Sequence, residues 1–177
     1  MSKVRFKPYV GEKYHHSRYG IKLLVLGESH YHDEEPDSDF TTQVVNQNAF
    51  QPGSLFFTKL TKILIGKDSD ITDEERREAW KHVAFYNYVQ EIVGDEGRIA
   101  PTNTMWQNAY TPFVEVVRAL RPDVILILGY RLENQVLELP PELKVEWACI
   151  KHPSSSSTYE HSFEQLRNSI HRLNGVF

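Results

Sequence analysis

Two short apolar runs that both stop at glycine, Ile21-Lys22-Leu23-Leu24-Val25-Leu26-Gly27 and Val124-Ile125-Leu126-Ile127-Leu128-Gly129, constrain this chain most. Runs of this length, rich in leucine and β-branched residues, read as strands covered on both faces. Such strands need helices above and below them, and the segments between supply candidates. Leu55 to Ile65 follows Pro52-Gly53-Ser54, places Leu60, Ile63 and Leu64 at helical spacing, and is stopped by Gly66. Asp70-Ile71-Thr72-Asp73-Glu74-Glu75 resembles a helix start, with acids in the first turn, running on to about Trp80. Phe113 to Leu120 keeps the i, i+3, i+4, i+7 stripe, Arg131 to Leu139 reads as a short helix, and Ser162 to Leu173 as a terminal one. Val83 to Val89 and Val145 to Ile150 have the β-branched and aromatic content of two further strands, and Gly94 to Thr104 reads as a surface loop. Strands alternating with helices predict an α/β fold: a three-layer α/β/α sandwich on a four-stranded parallel sheet, joined by right-handed crossovers.

A length of 177 residues suits one domain, 1–177, with residues 1–20 as a basic N-terminal arm. From Lys3 to Lys22 stand Lys3, Arg5, Lys7, Lys13, Arg18 and Lys22 against the single acid Glu12, with His15 and His16 among them. This stretch is either a solvated arm or a phosphate contact surface. A net charge of −4 argues against a protein that coats nucleic acid indiscriminately, because that affinity comes from neutralising phosphates. The longest apolar run, Val124 to Leu128, is far short of the roughly 20 residues that cross a bilayer, and the first residues lack a signal-peptide apolar region. A cytoplasmic monomer without a membrane partner is expected. Cys149 has no second cysteine to pair with and lies in an apolar run, where a small buried residue is the plain reading.

In open parallel sheets, ligands bind outside the carboxyl ends of the strands. Three of the four predicted strand ends carry chemically capable residues: Gly27-Glu28-Ser29-His30-Tyr31-His32 after the first, Asn87 at the second, and His152-Pro153-Ser154-Ser155-Ser156-Ser157 after the fourth.

Together with the loop Pro52-Gly53-Ser54-Leu55 and the segment Leu120-Arg121-Pro122-Asp123 leading into Val124 to Gly129, these motifs resemble, in order and kind, the uracil-DNA glycosylase superfamily. The likeness spans about Leu23 to Phe163 and leaves the N-terminal arm outside. It implies a uracil-DNA glycosylase-like fold and a hydrolase that excises a flipped uracil or other modified base from single- or double-stranded DNA, as in base-excision repair. Asn87 would read the base edge, since a carboxamide donates and accepts at once. His152 would face the base oxygen on which negative charge develops as the base departs. Gly27, Ser29 and Tyr31 would wall the base, and either Phe50 or Phe56 would stack on it. Ser54, Ser154 and Ser155 would hold phosphates.

Where the best-known members carry a water-orienting aspartate, this chain has Ser29, so Glu28 would supply the carboxylate, or else simply accept hydrogen bonds at the turn. The Glu-bearing branches of the family usually hold an iron–sulfur cluster through four cysteines; Cys149 alone cannot, and no cofactor is expected. Three other readings stand beside this one. The first is a catalytically silent base- or nucleotide-binding domain. The second is a metal-dependent hydrolase using Glu28, His30, His32, His152 and His161. The third is a serine hydrolase, whose nucleophile elbow the Gly27-to-Tyr31 turn fits poorly because its fifth residue is tyrosine.

Overall fold

The computed structural model describes residues 3–95, 97, 99–155 and 159–173. In chain order the elements are β1 (Tyr9–Val10), β2 (Leu23–Gly27), α1 (Phe40–Asn48), α2 (Leu55–Ile65), α3 (Asp73–Lys81), β3 (Val83–Asn87), α4 (Asn103–Leu120), β4 (Val124–Leu128), α5 (Tyr130–Glu133), β5 (Glu146–Ile150) and α6 (Tyr159–Leu173). They build an α/β structure on one five-stranded mixed sheet of order β1-β3-β2-β4-β5. The inner strands β2, β3 and β4 are buried throughout, as their unbroken apolar runs require.

Side chains alternate between the two faces of a strand, and this alternation sorts the core in two. Leu23, Val25, Val83, Phe85, Leu126, Ala148 and Ile150 face a layer made by α1, α2, α3 and α6, with Val45, Phe57, Leu60, Trp80 and Leu166 packed on them. Leu24, Leu26, Ala84, Tyr86, Ile125 and Ile127 face α4 and α5 through Trp106, Phe113, Val117 and Leu132. Parity then places the next residues. Asn87 follows Phe85 on the first face, and a side chain at Gly27 would follow Val25 there.

Strands β3, β2, β4 and β5 run parallel, but the sheet is not the four-stranded parallel one expected: a fifth strand lies at the edge, where Tyr9 and Val10 pair antiparallel with Phe85 and Ala84. The basic N-terminal stretch is therefore not a free arm. Phe6 and Tyr14 are fully buried, and the Gln90 carboxamide oxygen accepts the backbone N–H groups of Phe6 (2.8 Å) and Arg5 (3.1 Å). Four cations of the stretch are met by acids from elsewhere: Arg5 by Glu35, Lys7 by Asp39 at 3.1 Å, Lys13 by Glu78 at 2.6 Å and Lys22 by Asp123 at 3.7 Å.

Three helices also differ from the sequence reading. The helix expected from Arg131 to Leu139 stops at Glu133, four residues long. The helix expected from Phe113 begins ten residues earlier at Asn103, capped by the Thr102 hydroxyl; Pro112 lies inside it, where proline reads as a breaker. α1 has no counterpart in that reading, because only Phe40, Thr41 and Val45 of its nine residues are buried, too few to set a period. No helix among the described residues is long and apolar enough to cross a membrane.

Candidate functional site

A cavity of about 1140 Å³ opens at the carboxyl ends of the parallel strands, the place where ligands of open parallel sheets bind. Its walls include Gly27, Glu28, Ser29 and Tyr31 from the turn after β2, Asn87 from the end of β3, Phe56 from the first turn of α2, and His152, Ser154 and Ser155 from the segment after β5. The sequence-predicted residues are thus brought together, with two exceptions. Phe50 is not in the wall; it packs edge-on against Tyr9, with ring centroids 6.3 Å apart. Ser54 caps α2 instead, its hydroxyl accepting the Phe57 N–H at 3.4 Å. Ser156 and Ser157 lie outside the described residues.

Asn87 lines this cavity from the end of β3. It is 6 % exposed, and its carboxamide makes no hydrogen bond to the described residues, while its backbone carbonyl accepts from Gln90 at 2.8 Å. With its donor and acceptor both free in the cavity wall, the group is set for something that enters the cavity. Its neighbour in register across the sheet is Gly27, and a Cβ there would come within 2.1 Å of the Asn87 Oδ1. Only glycine leaves the amide its place. The Ser29 hydroxyl oxygen, in the same wall, is also buried without a partner.

His152 lies in the cavity wall, its ring 5.4 Å from that of Phe56. Its Nδ1 accepts the Ser154 backbone N–H at 3.2 Å, which leaves the ring proton of the neutral form on Nε2. Burial holds this imidazole below its ordinary pKa; the Glu28 carboxylate works against that shift and the Arg131 guanidinium with it. Gly129, at φ +110, lets the chain pass close beside His152, since a Cβ on it would meet the His152 Cβ at 3.3 Å in a conformation that disfavours side chains.

Glu28 does not simply serve the turn. Its carboxylate is gripped by the Arg131 guanidinium, Nε donating to Oε2 at 2.7 Å and Nη2 donating to Oε1. The carboxylate side chain is 11 % exposed and the arginine 53 %. Arg131 lines the cavity and is a site residue that the sequence reading misses; the available signal was a cation two residues past a strand-ending glycine at the same rim. Tyr31 donates its hydroxyl to the Ile99 carbonyl at 3.3 Å, tying the Gly94-to-Thr104 loop to the site.

No family model matches the chain, and no curated protein matches it in sequence. The chemistry of the site therefore rests on its own residues. Among the described residues no three His, Cys, Asp or Glu side chains are grouped to hold a metal ion. His32 turns instead to its own loop, with Nδ1 3.3 Å from Asp33, and His30 is buried between the Phe6 and Phe40 rings with Nε2 2.9 Å from the Thr41 hydroxyl. Cys149, half-buried, has its thiol pushed up to about 12, mainly by burial and then by Glu133.

Burial lowers the His30 pKa from its ordinary 6.5 to about 4. Between those values the unfolded chain binds the proton and the folded one does not, so stability is full above about pH 6.5 and declines as pH falls toward 4. Urea midpoints measured across that window should fall with pH in the parent protein and fall less in His30→Gln, which keeps a donor for Thr41. Parallel curves for the two proteins would mean that other groups govern the acid side.

Proposed function

We propose that this protein binds a base in the cavity and hydrolyses the N-glycosidic bond that joins it to its sugar, on a uracil-DNA glycosylase-like fold. The observation that carries this reading is the Asn87 carboxamide, nearly buried, unpartnered and kept in place by Gly27. A group that both donates and accepts, in a cavity also lined by Phe56 and Phe85, suits the edge of a planar heterocycle. Phe56 would cover the face of that heterocycle and Tyr31 its edge. His152 would donate Nε2–H to the base oxygen that gains charge as the bond breaks.

In this reaction water oxygen bonds to C1′ while the C1′–N bond breaks, and its electron pair leaves on the base. One water proton passes to the Glu28 carboxylate, from which it returns to the departed base. The motif resemblance points to DNA with a modified base as the carrier, the base being uracil, a deaminated purine or a modified pyrimidine.

A second reading, a silent base-binding domain, is favoured by one observation: both Glu28 carboxylate oxygens are engaged by Arg131. Single-turnover release of base from modified oligonucleotides and nucleotides separates the two. Release is expected, with Asn87→Asp changing which base is accepted, because a donor becomes an acceptor. Binding without release selects the silent domain, and a base preference unmoved by Asn87→Asp in a folded variant removes the base pocket itself.

A further inference from the structure

Three of the donors that the motif resemblance assigns to DNA phosphates, the Ser154 N–H and the Ser155 N–H and hydroxyl, are already used within the chain. The Ser154 N–H is given to His152 Nδ1 at 3.2 Å, and the Ser155 N–H and hydroxyl both go to the His152 carbonyl, at 2.8 and 2.7 Å. Ser54 stands outside the cavity as a helix cap. The Ser154 N–H and Ser155 therefore shape the turn around His152. In the basic N-terminal stretch Arg5, Lys7, Lys13 and Lys22 are each paired with an acid, and none of its cations lines the cavity.

Cationic donors are found instead at the cavity itself. Arginine carries five N–H donors; on Arg131 two face Glu28, and the remaining three sit on a side chain that is half exposed in the cavity wall. The bidentate grip fixes the guanidinium plane, so little ordering is left to lose when an anion binds. Lys151 lines the same cavity without an acidic partner among the described residues, and Lys59 reaches the Ser155 carbonyl at 3.3 Å. Two cations, Arg131 and Lys151, thus line a cavity in which Glu28 is the one carboxylate among the described residues, on a protein whose net charge is −4. Neutralising a DNA strand requires a row of cations along its phosphates; these two share one cavity and suit one dianionic group.

Resting on the base pocket proposed above, we infer that the base arrives on a free nucleoside monophosphate, with its phosphate monoester taken by Arg131 and Lys151, and not on a DNA strand. The substrate class is then a mononucleotide with a non-standard base, and the products of hydrolysis are the free base and a sugar phosphate.

Calorimetric titration tests this with deoxynucleosides of uracil, hypoxanthine, xanthine and 5-hydroxymethyluracil, their 5′-monophosphates, and short single strands carrying one such residue internally. For the base bound best, the monophosphate should bind about tenfold or more tighter than the nucleoside, and tighter than the strand. Arg131→Gln and Lys151→Gln should each shrink the ratio of monophosphate to nucleoside affinity, and Arg131→Lys should restore part of it. The two positions are read independently, so if Arg131→Gln folds poorly, Lys151→Gln still decides the matter. Equal affinity for nucleoside and monophosphate, a ratio unmoved by these variants, or tighter binding of the strand overturns the inference and leaves the base pocket standing. Failure of every nucleoside and nucleotide to bind overturns both.

Discussion

Gly27→Ala is expected to abolish base recognition while the protein still folds. The added methyl would lie 2.1 Å from the Asn87 Oδ1 and 3.1 Å from the Phe85 ring. Both are short of van der Waals contact, and Phe85 is held in the core, so the amide must rotate away. Losing its two hydrogen bonds to a base edge, each worth about 1–1.5 kcal/mol, gives roughly a 100-fold loss in affinity or turnover. The strain of overpacking adds a stability cost of about 1–3 kcal/mol. A double-mutant cycle with Asn87→Ala identifies the cause, because deleting the amide makes room for the methyl. Denaturant midpoints should show Gly27→Ala costing less stability in the Asn87→Ala background than alone, and base binding should be lost to a similar degree in all three variants. Unchanged base binding in a folded Gly27→Ala protein would show that the position of the Asn87 amide does not matter to the ligand.

His152→Ala is expected to lower single-turnover base release by roughly 100- to 1000-fold, the 2.7–4 kcal/mol or so that one well-placed donor contributes to a developing anion. Binding should weaken much less, since the donor is used chiefly when charge builds on the departing base. The neutral ring acts here as a donor through Nε2 because Nδ1 is committed to the Ser154 N–H. His152→Gln, whose carboxamide can also donate, should recover part of the rate, which a merely structural role for the ring would not predict. Equal rates for the parent and His152→Ala would take this residue out of the chemistry.

Legibility of the site varies with how local each decision is. Asn87 and His152 are visible in the sequence because each follows an apolar strand, and strand parity carries a side chain to a known face. The choice between Phe50 and Phe56 is not visible there. It depends on where α2 begins, and the Ser54 cap starts the helix so that Phe56 reaches the cavity while Phe50 stays with Tyr9. Arg131 escapes notice because its partner Glu28 lies 103 residues away, and sequence spacing says nothing about pairs that far apart. The basic stretch before β2 reads as an arm because its neutralising acids, Glu35, Asp39, Glu78 and Asp123, come from later parts of the chain.

By itself, the sequence determined that this chain makes short covered strands alternating with helices, and that polar residues stand at three strand ends. Those properties follow from local periodicity and from the free-energy cost of exposing apolar runs, both written within a few neighbouring residues. Only the tertiary structure decided the antiparallel edge strand Tyr9–Val10, which is too short to carry a period and is held by pairing to β3 and by Gln90. Only it decided that Glu28 holds an arginine and that the Ser154 N–H and Ser155 are bound into the turn at His152. The physical reason is the same throughout: hydrogen bonds and ion pairs form between whichever groups the packed strands bring within about 3 Å, and that proximity is a property of register and layer, not of order along the chain.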